Sequence, residues 1–275
     1  MDSLTRFFPD GAAADRPAFL LLGPAHLRLA AMPVQEVLAR YDNSLAVARC
    51  EIQEADAGAT LGLVRWGNHT VRLLAFAHPL PVAVLETCLL SALVDDSVRS
   101  KARTHQTHII ADYFGDDPDP VRQYAALAAV AGALTEVGVS VVLNQAAHAA
   151  VAGEFLEPFA PNMVEMLGEM PPFGLYAGLV GSAGWWRTHN LPRLGLPDFA
   201  LRATSASEFE GVFGLLGALV EWLRASGTRL AEGETLELGD DEIFRIYAAD
   251  SEEDVLRSEN ELLVLERITR SELDS

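Results

Sequence analysis

The chain has 275 residues, half of them hydrophobic, and a formal net charge of −19 from 39 acidic and 20 basic side chains. That length can bury the core of one large domain or of two half-size ones. The charge speaks against nucleic acid as a partner, because the densest cationic stretch, Arg99, Lys101 and Arg103, is too short to offset it.

Residues 1–16 read as a polar tail. The apolar run 19–22, closed by Gly23-Pro24, is a strand, and 34–41 carries a helical apolar spacing. Three strands follow at 44–52, 60–66 and 69–77, the last two joined through Gly67-Asn68 as a hairpin. The middle one lacks a clean one-face alternation, which suits a sheet covered on both sides. Residues 80–94 are apolar nearly all round, as in a buried helix. A strand at 105–114 leads to a turn, and Asp119-Pro120 then starts a helix with a capping carboxylate and proline in its first turn. Tyr124, Leu127, Ala131, Leu134 and Val137 line its buried face, Gly138 ends it, and 139–143 resumes as strand.

The second half repeats this pattern. A glycine-rich stretch at 173–186 is strand-like, 198–203 is a strand, and Ser207 with Glu210 has capping-box spacing. Phe209, Phe213, Leu216, Leu219, Val220 and Leu223 form the next helix face, Gly227 stands where Gly138 stood, and 242–249 and 261–268 close as strands. The expected fold class is therefore α+β. It has two related halves, 17–157 and 158–275, each a mostly antiparallel sheet with helices on one face, compatible with a ferredoxin-like pattern and forming one unit.

Few residues carry chemistry. With Lys101 as the sole lysine, a Walker-type phosphate loop is absent, and Schiff-base chemistry would rest on one polar segment. Cys50 and Cys88 have no metal-ligand spacing. Asp116, Asp117 and Asp119 read as turn and cap rather than a calcium loop, since Pro118 and Pro120 interrupt them. Gly178, Gly181 and Gly184 match neither a dinucleotide fingerprint nor a nucleophile elbow, and read as a strand permitting close backbone approach. His105 and His108 would point to opposite faces of their strand, whereas His108 and Asp112 share one and could pair. His26, His69, His78 and His148 have no recognisable partners. No catalytic set, metal or cofactor is expected. The chain begins without a signal-peptide pattern and contains no membrane-spanning run, so a cytoplasmic location without membrane contact is expected.

The densest polar-aromatic stretch is Trp185, Trp186, Arg187, Thr188, His189 and Asn190. Aromatics beside arginine dominate binding hot spots, and arginine can clamp a carboxylate. Trp185, Trp186, Arg187, His189 and Asn190 are therefore the candidate binding residues. The competing expectation is that the tryptophans are core and the polar residues stitch a long connection.

From Trp186 to Asp198 the order aromatic-Arg-Thr-x-x-Leu-x-x-Leu-Gly-Leu-Pro-Asp resembles the bacterial family called domain of unknown function 4261. The helix up to Gly227 with the following Leu230–Leu236 segment, and the strand and helix around Tyr113 and Tyr124, extend the resemblance over about residues 18–240. It implies an α+β domain and carries over no catalytic residue. The expected function is a non-enzymatic binding protein of the bacterial cytosol, an adaptor or immunity-type protein with a basic protein partner. The alternative is an enzyme or small-ligand binder with a cleft between the halves, using Arg187 and His189.

Overall fold

The computed structural model describes residues 16–25, 27–55, 59–91, 94–169, 173–203, 205–238, 242–249, 256–257 and 260–273. The expected tail, apart from Arg16, lies outside these residues, as does His26.

The described residues form an α+β fold built on two sheets. The first contains β1 (Ala18–Gly23), β2 (Arg49–Glu54), β3 (Thr60–Trp66), β4 (His69–Phe76), β5 (Thr107–Tyr113), β6 (Val141–Asn144) and β7 (Ala149–Ala152). They lie in the order β2-β3-β4-β5-β1-β6-β7, with every pairing antiparallel. The second contains β8 (Gly178–Ser182), β9 (Trp185–His189), β10 (Asp198–Arg202), β11 (Thr235–Leu238), β12 (Glu242–Ala248) and β13 (Leu262–Ile268). Its order is β11-β12-β13-β10-β9-β8, antiparallel except where β10 meets β13. Both sheets are larger than a β-α-β-β-α-β unit of the ferredoxin-like kind.

The centre of the first half is α4 (Pro120–Thr135), whose alanines let it sit buried against the sheet. Asp119 accepts the Val121 N–H and Pro120 opens the helix, as the sequence indicates. Beside it lie α1 (Ala31–Tyr41) and α5 (Met163–Glu169). The other face of the sheet is covered too: Phe19 and Leu21 of β1 join the α4 core, while Leu20 and Leu22 pack with α2 (Val82–Cys88) and α3 (Asp96–Arg103). A strand buried on both faces reads as an unbroken apolar run, hence Ala-Phe-Leu-Leu-Leu-Gly. In the second half α6 (Phe209–Ser226) covers one face, and a short α7 (Arg270–Leu273) follows β13.

Several local expectations change. The buried helix expected over 80–94 is only α2, with Val82 and Leu90 exposed. Past it, the Arg99 guanidinium donates to the carbonyls of Leu89, Ser91 and Val94, which fixes a loop there. Helix α3, capped by Asp95 at the Val98 N–H, holds Lys101 and was not anticipated. The first part of the 44–52 strand is the 3-10 turn Asn43–Val47, because Asp42 takes the Ser44 N–H and hydroxyl. The capping box fails as well. The 3-10 turn Ala206–Glu208 puts Glu208 at the start of α6 without a side-chain cap, and Ser207 bonds Ser205 instead.

The halves resemble one another in plan. Each has an antiparallel meander, of four strands ending at β5 or three ending at β10, a helix closed by a left-handed glycine, and a hairpin. Each also has one strand inserted between meander and hairpin, β1 or β13. The connectivity differs: β1 precedes its meander and runs antiparallel to β5, whereas β13 follows its hairpin and runs parallel to β10. The hydrophobic clusters change over between Tyr176 and Ala177 rather than at 157/158, because α5 and Tyr176 pack on the α4 side.

Candidate functional site

Strand β9 carries the expected binding residues, and alternation divides them between two faces. Trp186 points into the α6 core, its ring 5.4 Å from that of Phe209. A Cβ on Gly181 would lie 2.6 Å from the Trp186 ring, so a glycine is needed opposite the indole. Trp185 faces the other way into a small cluster with Ala200, Leu256 and Leu262, beneath the Arg202 guanidinium at 4.5 Å. Each indole is 7% exposed. The tryptophans therefore belong to the core and form no exposed recognition surface, which corrects the hot-spot expectation.

The polar residues of the same stretch stitch the chain together. Thr188 donates to Asp198 Oδ1 at 3.1 Å and accepts the Phe199 N–H at 2.7 Å, while Asp198 also accepts the Leu191 N–H. These bonds close the loop around the 3-10 turn Leu191–Leu194 and explain why threonine and aspartate flank it. Burial raises the Asp198 carboxyl to about 6, against the pull of its hydrogen bonds and of Arg187. Arg187 is itself half-buried, donates to the Arg257 carbonyl at 2.8 Å, and has its pKa lowered by burial.

His189 and Asn190 lie at the junction of the halves. The His189 ring stacks on His148, centroids 4.1 Å apart, and His148 comes from the β6–β7 turn in a left-handed conformation, φ 49°. Burial, then the neighbouring His148 and Arg187, pushes His189 down to about 3, and burial lowers His148 as well. Both imidazoles are neutral near pH 7, and His189 is too weak a base for proton transfer there. Asn190, with φ 80°, donates to the Tyr124 hydroxyl at 2.9 Å and the Tyr176 carbonyl at 2.6 Å. Asn144 donates to the Leu175 carbonyl from the first half. Gly178 completes the join: a Cβ there would stand 1.8 Å from the Ala147 carbonyl oxygen. Close backbone approach is what the glycine-rich stretch was expected to allow.

His108 and Asp112 are not brought together. Asp112 is gripped by Arg72 through two N–H groups, whereas His108 donates to the His78 carbonyl and stacks on Phe76. Residues four apart on a strand stand about 13 Å apart, so sharing a face does not make a pair. Burial pushes the Cys50 and Cys88 thiols up to about 11 and about 12, leaving neither as a ready thiolate. Among the described residues no three His, Cys, Asp or Glu side chains are grouped to hold a metal ion, and no helix is long and apolar enough to cross a membrane.

The junction opens into a cleft of about 950 Å³. Arg16, just before the first half, joins Gln123, Gln145 and His148 of that half, and the second contributes Asn190, Arg193 and Asn260. Only Asn190 among these was singled out from sequence as a binding residue. Arg193 stood inside the quoted motif, and His148 was noted as lacking a partner. Nothing in local spacing ties Arg16 to residues far along the chain. No protein-family model, no curated protein and no solved structure matches the chain.

Proposed function

We propose that the protein is a non-enzymatic binding protein of the cytoplasm whose ligand site is the cleft between its two halves. The observation that carries this reading is the cleft itself, about 950 Å³ and lined by polar side chains from both halves. That size falls in the range of small-molecule pockets. The chemistry of the lining supports binding over catalysis, since its single imidazole, His148, is neutral and stacked. The two free cysteines suit a reducing compartment. A basic protein partner, favoured by the net charge of −19, is the second reading.

Ala146 is exposed on the rim of the cleft, and Ala146→Trp would fill the space with an indole while leaving the core untouched. Small-molecule fractions that raise the melting temperature of the wild type are expected to lose that effect on the variant. Stabilisation undiminished in Ala146→Trp would place the ligand elsewhere and end the reading.

A further inference from the structure

We infer that the cleft takes a small ligand bearing an oxyanion, carboxylate or phosphate, held by the guanidinium groups of Arg16 and Arg193. This rests on the cleft being the ligand site. Acids outnumber bases 39 to 20 over the chain, yet the 14 residues that line the cleft include two arginines and no aspartate or glutamate. Asp112, cross-strand from Ala18 on the cleft wall, has both its oxygens held by Arg72, and Glu86, Asp119 and Glu261, each next in sequence to a lining residue, do not themselves line the cleft. The local charge is therefore positive inside a strongly negative molecule.

Arg16 is set for this task. Its guanidinium lies 3.9 Å over the Phe114 ring, and the same ring carries Arg72 at 4.2 Å. Stacking covers the planar face and leaves the N–H edge to hydrogen-bond. Its Nη1 is buried and has no hydrogen-bond partner among the described residues. The other N–H groups of the guanidinium remain for a ligand in the cleft that Arg16 lines, and an anionic oxygen is the acceptor that suits them best. Arg193 already makes an interaction of its own, but five donors allow it to hold that and a ligand together. His148 lines the same cleft and adds hydrogen bonding without charge. The exterior decides the size of the ligand. A polyanion or an acidic protein meets the −19 field first, whereas a small anion inside the cleft lies within a Debye length, about 8 Å, of its arginines.

The test is protein-observed NMR with inorganic phosphate, succinate and glycerol, following the cleft amides of Gln123, Gln145 and Asn190. Wild type is compared with Arg16→Gln, Arg193→Gln and, on the far edge strand, Arg49→Gln. Phosphate or succinate is expected to shift the cleft amides, the better of the two naming the anion. Affinity should fall about tenfold in each cleft variant, stay within about twofold in Arg49→Gln, and weaken with salt in the wild type. The salt dependence reads the inference even where a cleft variant fails to fold. Anion binding insensitive to salt and to both cleft arginines overturns the oxyanion inference, as do amides that move with glycerol and with neither anion; the cleft reading survives both. Cleft amides that respond to no probe overturn the oxyanion inference. The filled-cleft variant then decides the broader reading separately.

Discussion

Thr188 and Asp198 hold the loop between them, and the environment of the Asp198 carboxyl is visible in how its charge behaves. Asp198 is buried with its carboxyl raised to about 6 from 3.8, so the folded state resists its ionisation. Between pH 3.8 and 6 the folded chain binds more protons at this residue than the unfolded one, and acidification through that window stabilises it. His189 runs the other way. Its imidazole falls to about 3 from 6.5, so the unfolded chain takes up the proton first. Stability from this ring is whole above pH 6.5 and is lost as pH drops toward 3, by about 1.4 kcal/mol per unit. The two groups oppose one another between pH 6 and 4. Asp198→Asn keeps the acceptor for Thr188 and Leu191 but removes the charge. In urea denaturation it is expected to match or exceed wild-type stability at pH 7.5 and to lose stability more steeply below pH 6. Asp198→Ala strands two buried donors and is expected to cost about 2–4 kcal/mol at either pH. Equal pH slopes for wild type and Asp198→Asn would show that the carboxyl ionises as freely folded as unfolded.

Among the elements, helix glycines separate packing from propensity. Gly132 in α4 receives the Tyr41 ring so closely that an added Cβ would stand 2.0 Å from its hydroxyl oxygen, which itself donates to the Leu156 carbonyl. Gly214 on α6 is exposed with nothing near it. Alanine is the better helix former by about 1 kcal/mol at both sites. Gly214→Ala is therefore expected to raise stability by about that amount, and Gly132→Ala to lower it by about 1–3 kcal/mol through overpacking. Chemical denaturation of the two variants checks this, and equal signs would refute it. What could be read from sequence at this scale follows the same division. Helices α4 and α6 announce themselves because one face repeats at helical spacing and a glycine ends each. Helix α3 does not, since only Val98 and Ala102 of its eight residues are buried. The apolar 80–94 segment misleads for the opposite reason: its hydrophobicity serves packing against Leu20 and Leu22, while its backbone turns where Arg99 collects carbonyls. Edge strand β2 shows a device that no pattern reveals. Gln35 of α1 accepts the Cys50 N–H and donates to the Ala48 carbonyl, occupying backbone groups that an edge would otherwise offer to another chain.

At the scale of the molecule, the α+β class was legible in alternating strand and helix signals; a cleft between the halves was expected, but not the residues that line it. Arg16, His148 and Arg193 meet only because the β6–β7 turn presses on Gly178 and the loop closed by Asp198 turns toward α4. Long-range pairing of that kind leaves no local spacing to find. The tryptophans drew attention for the converse reason: their residue type suits a binding surface, but a two-residue alternation sends one into each face of the sheet. The surplus of negative charge also acts here. Self-repulsion opposes compactness, and salt screens it. Raising NaCl from about 0.05 to about 0.5 M is expected to raise the melting temperature by about 2–4 °C for each kcal/mol of relieved repulsion. A melting temperature that is flat or falling with salt would mean that the ion pairs, such as Arg103 with Glu86 and Lys101 with Glu154, offset the surplus.

The insertion of β13 between β10 and β12 sets a timetable for the chain during synthesis. Until residues 262–268 leave the ribosome, the second half consists of two separate ribbons, one ending at β10 and the other at β12, each presenting a raw edge flanked by Phe199 or Ile246. A polypeptide lacking that strand leaves the β10 and β12 edges open to pairing with another chain. In the first half the order is reversed: the inserted strand β1 is made first and itself waits for β5 and β6.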